Sequence, residues 1–194
     1  MNPLNSVNGT IIGGIILAVL LGVATMGVAF NVASLMVWIH VLAGITWIGL
    51  LYYFNFVQVP ALAEAVSDDG GPGGAGITKY VAPRALFWFR WSAALTWLSG
   101  AGYLAHLGIL DDAFMLSEAG FIIGIGAWLG TFMLFNVWVL IWPNQKKILG
   151  LVDASAEEIA KAKRVAFIAS RTNTLLSIPM IMSMVGFGHG GFII

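Results

Sequence analysis

The sequence alternates between long apolar segments and shorter polar connections. A helix needs about 20 apolar residues to cross the hydrocarbon core of a bilayer, and five segments are of about this length. The pattern therefore predicts an all-α integral membrane protein, a single membrane domain over residues 1–194 built as a bundle of about five transmembrane helices. The predicted spans are residues 10–30, 35–57, 85–110, 119–142 and 172–187.

The connections between the spans are recognisable from their composition. Pro60 lies just past the predicted end of the second span, where it cannot break the helix, and Pro143 is predicted to end the fourth span. Residues 61–83 contain SDDGGPGGAG and are predicted to form a polar loop. Residues 154–171 are predicted to form a basic interfacial helix, capped by Asp153 or Ser155, that runs into the fifth span.

The positive charges lie on one side of this arrangement. The loops on one side hold Lys79, Arg84, Lys146, Lys147, Lys161, Lys163, Arg164 and Arg171. The other connections hold neither Lys nor Arg. Because cytoplasmic loops are rich in these residues, the N-terminus is predicted inside and the C-terminus outside.

Composition supports the membrane assignment and narrows the chemistry. The chain is 59% hydrophobic and 9% charged, against roughly 25% charged in soluble domains. Its net charge of zero gives no reason to expect nucleic acid as a partner. The absence of cysteine excludes disulfides, iron–sulfur clusters and covalent c-type haem. The apolar N-terminal segment lacks a positive leader region and is predicted to be a retained span.

The second span lies within MVWIHVLAGITWIGLLYYFNFVQVP, a stretch that holds no charged residue and a single histidine, His40. Ionisable residues within spans are rare and commonly functional. On a helix, His40, Gly44, Trp47 and Leu51 share one stripe, and Gly44 leaves space beside the imidazole for a flat group or another helix.

The predicted topology places His40, His106 and His189 in the outer leaflet and Arg90 towards the inner half of the third span. One interpretation is axial ligation of a b-type haem by His40 together with His106 or His189, as in other helical bundles. The alternative is that His40 is a hydrogen-bonding contact between helices and that the other two lie at the wet interface. Arg90 is expected to snorkel or to find a buried acceptor.

Two further groups of residues are candidates for a pocket. Trp47, Trp97 and Trp128 lie deeper than the tryptophans at the span ends, which are typical of the interfacial belt. Asn136 is an amide in the middle of the fourth span and needs a partner there. It is expected to contact a ligand, Arg90 or a neighbouring carbonyl.

Several segments together resemble a known family. They are HVLAGITWIGLLYYFNFVQVP, FRWSAALTWLSG, IGAWLGTFMLFNVWVLIWPNQKK and RTNTLLSIPMIMSM, spread over residues 36 to 185. In this order they resemble the N-terminal membrane domain of the cytochrome-c-containing bacterial urate oxidases. The first segment also has a weaker similarity to membrane protoporphyrinogen oxidases, which are haem-b proteins.

The resemblance implies a membrane oxidoreductase module in the bacterial inner membrane that passes electrons towards a cytochrome c. His40, Gly44, Trp47, Trp97 and Asn136 fall on family motifs, as do Gly130 and the segment Asn144 to Lys147. Ser92 stands where the family pattern has an acidic residue, so we do not expect this chain to oxidise urate by itself.

The sequence thus leads to one expected function and one alternative function. The expectation is a small redox subunit that binds b-type haem near the periplasmic face and exchanges electrons with a separate cytochrome c or a larger membrane complex. The rival is a scaffold or accessory subunit without a cofactor, packed among lipids as a homo-oligomer or within a complex. Stand-alone oxidation of urate is the third reading, and the sequence does not identify the partner or the oligomeric state.

Overall fold

A computed structural model of the chain describes residues 2–27 and 31–190, and every regular element in them is helical. The helices are α1 (Val7–Met26), α2 (Val32–Tyr53), α3 (Val59–Ser67), α4 (Ala82–His106), α5 (Leu110–Met115), α6 (Phe121–Phe135), α7 (Trp142–Ile148) and α8 (Ala156–His189). Wider π-helical turns occupy Phe54–Gln58, Ile77–Val81 and Asn136–Ile141, and short 3₁₀ turns occupy Pro3–Asn5 and Glu118–Gly120.

The chain divides into two compact units, residues 1–32 and residues 33–194. The first unit is essentially α1, an apolar helix whose first turn is capped by the Ser6 hydroxyl, which accepts from the Gly9 N–H at 3.1 Å. The second unit is a helical bundle. It contains the residues from which a functional site can be built.

Four helical segments of the described residues are long and apolar enough to cross a membrane. They are Val7–Thr25, Val32–Ser67, Glu118–Ile148 and Ala156–His189. They correspond to four of the five predicted spans, although the predicted residues 28–30 of the first span lie outside the described residues. The remaining predicted span, 85–110, is formed as the long helix α4, which contains Arg84 and Arg90 and is not among these four.

The predicted helix end at Pro143 is wrong, because the helix continues through this proline, and the second span likewise continues through Pro60. Pro60 lies in α3 and Pro143 in α7, each directly after a π-helical turn. The N–H of Val59 bonds to the carbonyl of Phe54, and that of Trp142 to the carbonyl of Val137, five residues back in each case. The wider turn accommodates the proline ring, which would clash with the carbonyl four residues back in a regular α-helix.

The predicted polar loop over 61–83 is also shorter than expected. Helix α3 extends to Ser67, and helical turns resume before the π-helical turn Ile77–Val81, which leads into α4 with Pro83 in its first turn. The irregular connection is therefore confined to residues 68–74, the Asp–Gly–Pro–Gly stretch. The flanking residues 61–67 and 75–83, which are predicted to belong to the loop, instead continue the helices on either side of it.

The basic segment and the last span form one uninterrupted helix, α8. Ser155 caps it: its hydroxyl accepts from the Glu158 N–H at 3.2 Å, and the Glu158 carboxylate accepts from the Ser155 N–H at 2.8 Å. This reciprocal pair is a capping box, so of the two predicted caps Ser155 is confirmed. Glu158 also pairs with Lys147 of α7 at 3.5 Å, an exposed contact of little energetic weight.

The core of the second unit lies where α2, α4, α6 and α8 meet. Large side chains such as Trp47, Leu51, Phe89 and Met133 are almost fully buried there. Helix α8 presents mainly small residues to this core, which lets neighbouring backbones approach closely. Its buried residues are Ala162, Ala166, Ala169, Asn173, Ser177, Met180, Ser183 and Gly186.

Candidate functional site

A cavity of about 690 Å³ lies between α2, α4, α6 and α8, and its volume is in the range typical of small-molecule and cofactor sites. Residues of α2 from Val37 to Tyr52 line one side of it, and residues of α8 from Met180 to His189 line another. Most of the lining side chains are apolar or glycine, and none of the described lining residues is Asp, Glu, Lys or Arg. The cavity can therefore hold an apolar or flat molecule but offers no fixed charge.

His40 lines this cavity and is held by helix α4. Its Nδ1 lies 2.8 Å from the carbonyl oxygen of Thr96. A carbonyl only accepts, so Nδ1 carries the proton and Nε2 of the neutral ring keeps a free lone pair. Gly100 makes the approach possible, because a Cβ at this position would lie 2.8 Å from Cε1 and 2.9 Å from Nδ1 of the imidazole. The Nδ1–Cε1 edge of the ring thus packs against α4.

His189 lines the same cavity near the end of α8. Its Nδ1 lies 3.1 Å from the carbonyl oxygen of Val185, one helical turn earlier, so here too Nδ1 donates and Nε2 is left free. His106 is exposed at the end of α4 and is not among the lining residues. The structure therefore places His40 and His189 along one cavity, with His189 exposed at the end of α8, and leaves His106 outside it.

Trp47 is the most deeply buried polar group of the cavity. Only 1% of its surface is exposed, and its indole N–H has no hydrogen-bond partner among the described residues. Most buried N–H groups in proteins have a partner. The predicted stripe on α2 is realised, since His40, Gly44 and Trp47 all line the cavity and Leu51 is buried beyond them.

Trp97 also lines the cavity, but its indole N–H is satisfied. It donates to the Thr131 hydroxyl at 2.8 Å, and that hydroxyl donates in turn to the carbonyl of Ala127 at 2.7 Å. Trp128 lies elsewhere, in a shallow depression with Phe132, and donates to the carbonyl of Phe114 at 3.0 Å. Of the three predicted pocket tryptophans, the structure places two at the cavity.

Arg90 and Asn136 lie away from the cavity. The guanidinium of Arg90 stacks on the indole of Trp142, with 3.8 Å from Cζ to the ring centroid, a cation–π contact. Asn136 donates to the Asn173 side-chain oxygen at 2.8 Å, and Asn173 donates to the carbonyl of Met133 at 3.0 Å. Both predicted site residues therefore make contacts between helices in the bundle.

The described residues contain no group of three or more His, Cys, Asp and Glu side chains that could hold a metal ion. The donor set at the cavity is instead a pair of imidazoles. Two axial nitrogen ligands are what a haem iron takes from a protein, whereas a bare zinc or iron site needs more protein ligands.

Several residues at the cavity were missed by the sequence reasoning. Gly100 and the Thr96 carbonyl hold His40 from another helix, and no local pattern indicates which helix would face it. Met180 and Met184 line the α8 side. The spacing of Asn173, Ser177 and Met180, with Ala166 and Ala169 before them, is a helical small-residue stripe that could have identified the inward face of α8.

Comparison with known proteins gives one match. The family model described as "Urate oxidase N-terminal" matches residues 109–192, a little under half of the chain. No curated protein and no solved structure matches the chain. The matched part contains α6, α7, α8 and His189, whereas His40 lies before it. The predicted resemblance to this family is thereby confirmed over residues 109–192.

Proposed function

We propose that the chain is a small redox subunit of the bacterial inner membrane that holds a b-type haem between His40 and His189. It exchanges electrons with a separate cytochrome c or with a larger membrane complex. The observation that carries the proposal is the pair of histidines at one apolar cavity, each with Nδ1 donated to a backbone carbonyl and Nε2 free.

The donor set fits this cofactor. A ligating histidine commonly donates its other ring N–H to a carbonyl, which fixes the tautomer and the ring orientation. The Thr96 carbonyl does this for His40 and the Val185 carbonyl for His189. Among the glycines of the lining, Gly49 leaves open space, because a Cβ there would meet nothing within 4 Å, whereas Gly126 packs against Ser183 and Met184 of α8. A bound haem would supply a reversible one-electron iron couple.

The residues that line the cavity would determine the environment of the haem iron. Apolar side chains from four helices limit the access of water and lower the local dielectric constant. Burial and a low dielectric constant are two of the factors that set the reduction potential of a haem. Hydrogen bonds between helices hold the walls: Tyr52 contacts the Ser177 hydroxyl at 2.9 Å, and the Gly126 N–H donates to the Ser183 hydroxyl at 2.8 Å. These contacts support the proposal of a site whose walls would stay in place around a bound group.

The proposed topology has α4 as a fifth span, with the N-terminus inside and the C-terminus outside. The one-sided distribution of Lys and Arg supports it. The stacking of Arg90 on Trp142 supports the crossing of α4, because an aromatic face offers a guanidinium a favourable contact at the edge of the apolar region. In this topology the His40 and His189 end of the cavity faces the periplasm.

Oxidation of urate by this chain alone is less well supported. Urate is a polar anion, and the described residues that line the cavity include neither Lys nor Arg to bind it. A cofactor-free scaffold remains the rival function, and the following experiment separates it from the redox subunit.

The test is the absorption spectrum of the detergent-purified protein after expression with haem precursor. We expect a Soret band with the low-spin signature of two nitrogen ligands in the wild type. His40→Ala should abolish or shift it, because one ligand is removed. His106→Ala is the matched control and should leave it unchanged, because His106 is exposed and does not line the cavity. Absence of the band in the wild type would favour the scaffold, and an unaltered His40→Ala spectrum would exclude His40 as a ligand.

A further inference from the structure

We infer that the surface where α4 meets α7 binds one anionic phospholipid, whose phosphate diester is held by Arg90 of α4 and Lys146 of α7. This surface is formed by Phe87, Arg90 and Trp91 together with Trp142 and Lys146, and is called the α4–α7 surface below. The inference goes beyond the proposed function and does not depend on haem. Only the assignment of the lipid to the inner leaflet follows from the proposed topology.

Arg90 carries hydrogen-bond donors that the protein does not use. Its guanidinium lies 3.8 Å from the ring centroid of Trp142 and 5.5 Å from that of Phe87. A guanidinium stacked on a ring directs its five N–H groups outward in its own plane, and no acceptor among the described residues bonds to them. Fully buried side-chain polar atoms without a partner are found, within the described residues, only on Trp47 and Gln58. The guanidinium nitrogens are therefore unpaired but open to a ligand.

The charge of Arg90 is not balanced by the protein either. In the described part of the chain the one ion pair joins Lys147 to Glu158, so no carboxylate pairs with Arg90. Arg90 lies eight residues into α4, about 12 Å along the helix axis from Ala82. A cation at this depth is costly when no counter-charge accompanies it. An anion supplied by the membrane would lower this cost.

Lys146 provides a second cation beside the first. It follows Trp142 by four residues in α7, so the two side chains lie one turn apart on one face of that helix. It is partly exposed and has no ion-pair partner among the described residues, whereas the adjacent Lys147 contacts Glu158. A phosphate diester can accept from a guanidinium in bidentate fashion and from an ammonium group at the same time. Water can accept from both groups but cannot neutralise their charge.

The aromatic surroundings favour a lipid over a free phosphate ion. Phe87 and Trp91 are 46% and 52% exposed, and Trp91 packs edge-on against Trp138 with 5.2 Å between ring centroids. Exposed rings at this level offer apolar contact to the glycerol and acyl chains of a lipid. A free phosphate would have to leave water to reach the same position, which is costly.

The charge of the α4–α7 surface also selects among lipids. A zwitterionic headgroup brings its own ammonium group towards two cations, and like charges repel. An anionic headgroup brings only the phosphate and neutral hydroxyls. The surface therefore fits a lipid such as phosphatidylglycerol.

The experiment compares phosphatidylglycerol with phosphatidylcholine of the same acyl chains. Each lipid is titrated into the detergent-purified full chain, and the lipid-bound fraction is measured by native mass spectrometry. Arg90→Gln removes the charge and keeps a polar side chain. Arg171→Gln is the matched control, because Arg171 also lies over a ring, that of Phe167 at 5.3 Å, but is exposed and contacts its own helix.

We expect the wild type to bind phosphatidylglycerol more tightly than phosphatidylcholine. Arg90→Gln should weaken phosphatidylglycerol binding roughly tenfold, as for the loss of a hydrogen bond to a charged group, and Arg171→Gln should leave it nearly unchanged. Equal affinity of the wild type for the two lipids, or an equal loss in the two variants, would overturn the inference. Displacement of the lipid by excess inorganic phosphate would also overturn it, because the site would then be one for the free ion.

Should Arg90→Gln not fold, Lys146→Gln decides, because Lys146 has no ion-pair partner that its loss would leave unpaired. We expect phosphatidylglycerol to bind this variant about fivefold more weakly, as for one cation at the headgroup level. Lys163→Gln, which changes an exposed lysine of α8, is its control and should bind as the wild type does. Equal affinity of the two lysine variants would count against the α4–α7 surface as the site.

Discussion

The orientation of His40 depends on a glycine of the facing helix. The imidazole edge that donates to the Thr96 carbonyl also packs on Gly100, where a methyl group would lie 2.8 Å from Cε1. Contacts this short require a neighbour to move. In this case the neighbour is a ring held at 2.8 Å by a hydrogen bond, so the ring would rotate or the two helices would separate.

Gly100→Ala should therefore displace the imidazole and lower the stability of the bundle by about 1–3 kcal/mol, as overpacking commonly does. Thermal unfolding in detergent measures the loss, and the proposed haem band should move with it. Gly49→Ala is the control: Gly49 also lines the cavity, but an added Cβ there meets nothing within 4 Å. Equal effects of the two substitutions would argue against a special role for Gly100.

At the level of helices, α6 and α8 are joined by amides in the apolar core. Asn173 is fully buried, accepts from Asn136 and donates to the Met133 carbonyl. Such contacts in membranes average only about 0.6 kcal/mol in mutational cycles. Removing Asn173, however, also leaves the partly buried side-chain N–H of Asn136 without its acceptor, while the Met133 carbonyl keeps the backbone N–H of Asn136 as a donor.

We expect Asn173→Ala to destabilise the protein by about 1–3 kcal/mol, because it removes two hydrogen bonds between helices and leaves the Asn136 amide without its acceptor. Chemical unfolding in mixed micelles gives this value. The neighbouring Thr174→Ala is a suitable comparison, because the Thr174 hydroxyl donates only to Ser170 of its own helix, at 3.1 Å. If Asn173→Ala lost no more stability than Thr174→Ala, the amide network would contribute little to the packing of α6 on α8.

For the whole molecule, the charge distribution predicts the side of the membrane on which each connection lies. The chain contains no cysteine, so single cysteines can be introduced as labels without background. Asp69→Cys, in the connection before α4, should be protected from an impermeant maleimide in intact cells, and Asp111→Cys, after α4, should react. Labelling of both or of neither would place the two ends of α4 on one side of the membrane and exclude it as a span.

Much of the architecture could be predicted from local sequence. The apolar segments located the long helices, the Ser155 and Glu158 pair located the start of α8, and the spacing of His40, Gly44 and Trp47 identified one wall of the cavity. The rest depends on contacts between distant segments. Nothing near His40 indicates that Gly100 faces it, and nothing near His106 indicates that it stays outside, because both follow from how α4 is rotated against α2.

Proline is a case in which a local rule gave the wrong result. The rule predicted that the fourth span ends at Pro143, whereas the helix continues through it. Pro60, Pro83 and Pro143 each follow a π-helical turn within two residues, and the helix goes on beyond each. The rule that proline disrupts the interior of an α-helix still holds. The helix avoids the clash with the proline ring by forming a wider, π-helical turn before it. The apolar composition of these segments does not predict such a turn.

Each of these wide turns acts as a phase shift along its helix. One extra residue in the turn rotates every later side chain by about 100° relative to a regular α-helix. The residues after Phe54 and after Asn136 therefore face neighbours that an unbroken 3.6-residue repeat would assign to another side. A one-residue deletion within Asn136–Ile141 should consequently leave the segment helical yet turn α7 away from α8, against which it packs.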